Sequence, residues 1–133
     1  MMRYFYPKSI RLHSQKKIDA LYAEKEEQFI VFPLRFVAKR IQDPTLSSPI
    51  LFLPVAPKKR FTKAVQRNQI KRHLRESFRL NLHRVTLKSP WAWHLAVSYV
   101  GPAPSQWLKT EQAMIKGLEK LNIASNENHL PKI

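Results

Sequence analysis

The chain has 133 residues, with 24 Lys and Arg against 9 Asp and Glu, a formal charge of +15 and a pI near 10.5. That length holds one domain with a real core, predicted to span 1–133, and the charge points to a polyanionic partner, nucleic acid before anionic membrane. The absence of cysteine excludes disulfides and thiolate metal sites and fits a reducing cytoplasm, and two glycines are too few for a phosphate-cradling Gly-rich loop or a KH-type GXXG loop.

Residues 1–12 form a basic, partly aromatic segment (Arg3, Tyr4, Phe5, Tyr6, Lys8, Arg11) broken by Pro7, without the apolar run of a signal peptide or a membrane span. Ser14 is a fair N-cap for a short helix to about Glu24, with Ile18, Leu21 and Tyr22 on one face. Phe29–Ala38 is β-rich, and Pro33 inside it implies a bulge, an edge strand or two short strands. The turn residues of Asp43–Pro49 mark a loop. Ile50–Ala56 reads as a strand buried on both faces. Trp91–Val100 alternates bulky residues (Trp91, Trp93, Leu95, Val97, Tyr99) with mostly small ones, a strand with two unlike faces. Ser105 is placed to cap a last helix whose core face is Trp107, Met114, Leu118 and Leu121. The tail from 124 to 133 is polar and expected to be loose.

Between the second and third of these apolar segments lies Lys58–Arg84, KKRFTKAVQRNQIKRHLRESFRLNLHR, with ten of the basic residues and one acid, Glu76. Its period predicts a helix from Thr62 or Lys63 to about Leu82. Ile70, Leu74 and Phe78 lie on one stripe, with Ala64 and Leu82 at its edge, while Asn68, Arg72, Arg75 and Arg79 lie on another with Lys71 at the border. One face can bury against a sheet while its neighbour presents guanidinium forks, which bond phosphate oxygens two at a time. A helix that needs only solubility mixes its signs to avoid self-repulsion, and this one does not.

The run Val65-Gln66-Arg67-Asn68-Gln69-Ile70-Lys71-Arg72, followed by Arg75-Glu76, resembles the signature of the protein component of bacterial ribonuclease P. The likeness extends over roughly Arg11–Leu121 and departs at Gln69, where the family usually has arginine. It implies an α+β fold in the order αβββαβα, with a left-handed β-α-β crossover through the basic helix. It also implies that the partners are the catalytic RNA subunit of ribonuclease P and the 5′ leader of precursor tRNA, with no stable protein partner required. On this reading Arg67, Asn68, Lys71, Arg72 and Arg75 form the RNA-binding core, Arg79 continues it, and Lys59, Arg60 and Lys63 support it where strand passes into helix. Ile18 and Tyr22 face the leader groove. Ile18 departs from the aromatic residue common there, and Val100-Gly101-Pro102 stands where relatives often carry basic residues.

The nine acids are scattered, and the five histidines show no metal-ligand spacing, so neither a protein active site nor a protein metal site is predicted. That matches the resemblance, in which the RNA subunit performs the Mg²⁺-dependent hydrolysis and the protein assists in the cytoplasm. Two other classes share some of these features. A structural, ribosomal-protein-like RNA binder would carry the same basic helix with no role in tRNA processing. A peripheral membrane protein would need exposed bulky apolar residues where Ile70, Leu74 and Phe78 are claimed by the core.

Overall fold

The computed structural model describes residues 10–43, 45, 48–87 and 90–127. Most of the basic N-terminal segment, 1–9, and the end of the tail, 128–133, lie outside them. Ser14 caps α1 (Gln15–Ala23), its hydroxyl accepting from the Lys17 N–H at 3.4 Å. The Phe29–Ala38 segment resolves into two strands, β1 (Glu27–Val31) and β2 (Leu34–Gln42), with Phe32-Pro33 in the turn, so proline's missing N–H costs the ladder nothing. After the loop come β3 (Ile50–Val55), α2 (Ala64–Asn81) with a 3₁₀ turn at Leu82–Arg84, β4 (Trp91–Tyr99) and α3 (Trp107–Glu127), the predicted αβββαβα order.

The sheet order is β1-β2-β4-β3, with β1–β2 and β2–β4 antiparallel and β3–β4 parallel. Helix α2 is therefore the crossover between neighbouring parallel strands. The two faces of β4 decide the layers. Trp93, Leu95, Val97 and Tyr99 join Phe36, Phe52, Ile70, Leu74, Phe78, Met114 and Leu118 in the main core under α2 and α3. Ala96, on the small face, joins Leu12, Leu21, Val37 and Leu51 under α1, with Ile18, Leu53 and Val55 at its margin. With nine residues, α1 covers only part of that face of the sheet. This is why Leu53 and Val55 are only half-buried, against the burial on both faces expected of the strand.

Several local expectations change in context. Ala64 is exposed rather than at the edge of the buried stripe, which Ser77 and Asn81 complete instead. Both donate back to their own helix, Ser77 Oγ to the Leu74 carbonyl at 3.1 Å and Asn81 Nδ2 to the Ser77 carbonyl at 2.8 Å, and Asn81 Oδ1 accepts from Arg84 Nε at 2.9 Å. Helix α3 continues past Ala124 to Glu127, because Ser125 is fully buried and accepts from Trp93 Nε1 at 2.6 Å. Ser105 precedes the first helical residue by two positions, and its hydroxyl meets His73 Nδ1 at 2.6 Å instead of capping. Trp107 is half-buried in the cleft between α2 and α3, not in the core.

Candidate RNA-binding surface

What aims the basic stripe is the apolar one. Ile70, Leu74 and Phe78 are fully buried, and the Phe78 ring stacks on Phe52 of β3 with centroids 4.0 Å apart and planes 2° from parallel. That contact sets the rotation of α2 about its axis and turns Asn68, Arg72 and Arg75 outward. With Val65, Gln66, Gln69 and Pro104 they line an open concavity of about 610 Å³. Asn68 and Arg72 are exposed and Arg75 is half-buried. Among the described residues no hydrogen bond or ion pair holds the Arg72 or Arg75 guanidinium. Gln69, which the helical wheel sets outside the row, lines the same concavity.

The other predicted contact residues behave differently. Arg67 turns back on the incoming chain, its Nη1 donating to the carbonyls of Phe61 at 2.8 Å and Thr62 at 2.9 Å. It ties down the segment that carries Arg60 and Lys63. Arg79 is held by Glu76, the one acid of the stretch, through both Nε and Nη2. Lys71 is half-buried, while Lys59, Arg60 and Lys63 are exposed, with the Arg60 guanidinium over the Phe61 ring at 5.8 Å. Lys63 is the N-cap of α2 without a side-chain cap, and no acid stands in the first turn. Free N–H groups, the positive end of the helix dipole and the surrounding cations therefore add, an arrangement that costs the isolated helix stability and favours phosphate there.

On the opposite face of the sheet the two residues expected to face the leader separate. Ile18 packs at the margin of the smaller core, whereas Tyr22 is 38% exposed. Burial raises the Tyr22 phenol pKa, partly offset by a hydrogen bond with the Ser98 side chain and by the charge of Arg35. Register puts Arg35, Val37 and Lys39 of β2 opposite Ser98, Ala96 and His94 of β4, so these side chains share the face on which α1 packs. Burial, then Lys17 and Lys39, push the His94 pKa down to about 4, with Asp43 opposing. Sequence reasoning missed Arg35, Lys39 and Ser98, because alternation identifies a face and not what lies across the neighbouring strand. Among the described residues no group of three or more His, Asp or Glu could hold a metal ion, and no helix is long and apolar enough to cross a membrane.

The Ribonuclease P family profile matches residues 6–122. The ribonuclease P protein component of Porphyromonas gingivalis W83 is 40% identical over 76 residues, 57% of this chain, and the same protein from strain ATCC 33277 matches equally. The matched stretch spans 54% of the length of those relatives. Among solved structures, the RNase P protein of Thermotoga maritima superposes with a TM-score of 0.63 at 17% identity, covering 83% of this chain and 96% of that one. That of Staphylococcus aureus gives 0.62 at 19% identity, covering 97% and 98%. A Staphylococcus aureus RNase P protein mutant with defective mRNA degradation activity gives 0.65 at 16% identity, covering 86% and 88%. With a profile match across most of its length and the same fold in the solved structures, this chain belongs to the bacterial ribonuclease P protein family.

Proposed function

We propose that this chain is the protein subunit of a ribonuclease P, a cytoplasmic ribonucleoprotein in which the RNA subunit removes the 5′ leader of precursor tRNA. The observation that carries the reading is the outward stripe of Asn68, Arg72 and Arg75 around one concavity, on a helix whose N-terminus has cations and no acid. Arg72 and Arg75 take RNA phosphates, with Lys59, Arg60, Lys63 and Lys71 supplying field around them. Arg67 serves by holding the chain that positions Arg60 and Lys63. The face of the sheet beside α1 takes the leader, with Tyr22 offering a ring and Arg35 offering charge to its backbone, while Lys39 is ion-paired with Glu24.

Hydrolysis on this reading uses Mg²⁺ bound by RNA. The protein's contribution is to lower the repulsion between two polyanions, so that enzyme RNA, substrate RNA and metal coexist at moderate salt. A purely structural RNA binder would share the basic stripe, but the family match does not favour it. Reconstitution of purified protein, bacterial ribonuclease P RNA and labelled precursor tRNA at low Mg²⁺ tests the proposal. Cleavage should need the RNA and be stimulated by the protein. Cleavage by RNA-free protein, or RNA cleavage indifferent to the protein, would overturn it.

A further inference from the structure

Beside the basic concavity, and sharing Arg72 with it, is a second open cavity of about 360 Å³ lined by Arg72, His73, Glu76, Leu80 and Trp107. Its parts come from two helices. His73, Glu76 and Leu80 stand on α2 next to the basic stripe, and Trp107 opens α3. The Trp107 and His73 rings meet at 69° with centroids 5.7 Å apart, so they form a corner rather than a closed stack. Ser105, itself buried, pins the imidazole through its Nδ1 at 2.6 Å. Burial, and then the charge of Arg72, lower the His73 pKa. The Glu76 carboxylate is neutralised by Arg79 and still presents acceptor oxygens.

We infer that this cavity receives a single unpaired nucleobase of the RNA subunit, stacked on Trp107, with the phosphate of the same nucleotide on Arg72. The inference rests on the proposed RNA-binding role and adds to it a contact that reads an unstacked base rather than backbone charge. A planar base laid along the indole meets the imidazole edge at its side and Leu80 at the mouth, while its N–H edge faces an acceptor. An apolar peptide side chain would use neither Arg72 nor the Glu76 oxygens, whereas a nucleotide can engage both. The position of Arg72, on the wall between the two cavities, lets one guanidinium serve both halves of a nucleotide. Gln66, Gln69 and Asn68 line only the phosphate side.

The test compares wild type with Trp107→Phe and Trp107→Leu, using two polyanions: bacterial ribonuclease P RNA, and inorganic polyphosphate, which has charge and no bases. Loss of a stacked base should weaken RNA binding by Trp107→Leu roughly 5- to 150-fold, with Trp107→Phe close to wild type and the salt slope unchanged. Polyphosphate should bind all three proteins alike. Circular dichroism and thermal melts confirm that each variant is folded, and Trp107→Phe serves as the conservative control if Trp107→Leu is not. Wild-type affinity of Trp107→Leu for RNA, or an equal loss on polyphosphate, overturns the base pocket. So does a Trp107→Phe protein as weak on RNA as Trp107→Leu. If wild-type protein does not prefer ribonuclease P RNA to an unrelated RNA, the functional reading fails instead, and the contrast between RNA and polyphosphate still judges the pocket.

Discussion

Replacing Arg67 and Arg72 singly by Ala separates two jobs that the motif assigns alike. Arg67 donates from Nη1 to two main-chain carbonyls, at 2.8 and 2.9 Å. A hydrogen bond from a charged donor is worth about 1.5–3 kcal/mol when shielded, and this site is only half-buried, so water recovers part of the loss. The pair together should contribute about 1–2 kcal/mol, which for a domain of this size lowers Tm by roughly 3–8 °C. Arg72 is exposed and makes no protein hydrogen bond among the described residues, so Arg72→Ala should change stability by no more than about 0.5 kcal/mol. Its loss should appear in RNA binding, as a fall of about 0.7–0.9 in the slope of log K against log salt between roughly 50 and 200 mM. Thermal melts and binding titrations on both variants make the comparison, with Arg67→Lys as a partial rescue. An Arg67→Ala protein with wild-type Tm and the slope change of Arg72→Ala would refute the reasoning and make Arg67 a phosphate ligand like its neighbour.

Gly117→Ala should destabilise the protein by about 1–3 kcal/mol in chemical denaturation despite alanine's better helix propensity, because its Cβ would enter the ring of Phe36, which is fully buried and stacked on Phe29 at 5.0 Å; a gain in stability would show that the core yields there. His94 titrates near 4 when folded and about 6.5 when unfolded, so the unfolded chain binds the extra proton first; stability present above about pH 6.5 should fall by roughly 1–3 kcal/mol towards pH 4, and His94→Leu should flatten that stretch of the pH–stability curve. Tyr22→Ala should weaken precursor tRNA binding by about 1–3 kcal/mol and leave mature tRNA unaffected, whereas equal losses on both would assign the ring to packing. Gln69→Arg adds a cation to the concavity already holding Arg72 and Arg75, so it should leave RNA affinity equal or higher and steepen the salt slope, and a weaker complex would contradict that placement.

Ser14 with the turn it caps, the stripe Ile70-Leu74-Phe78 and the unlike faces of β4 were all legible in the chain, because each follows from helical or strand period acting over a few residues. So was the charge of Lys58–Arg84, since ten cations against one acid need no tertiary context to mark a polyanion partner. Tertiary structure decided what each face meets. Parallel pairing of β3 with β4 brings Phe52 under Phe78 and thereby aims Arg72 and Arg75 at solvent. The same packing ends any equivalence among the arginines, with Arg67 drawn to main-chain carbonyls and Arg79 to Glu76. Ser105 finds His73, and Ser125 finds Trp93, each across 32 residues, so a residue read as a cap holds an imidazole and a stretch read as loose tail is helix. Local period determines which residues share a surface. Only the crossing of distant elements determines which of them stay free to bind.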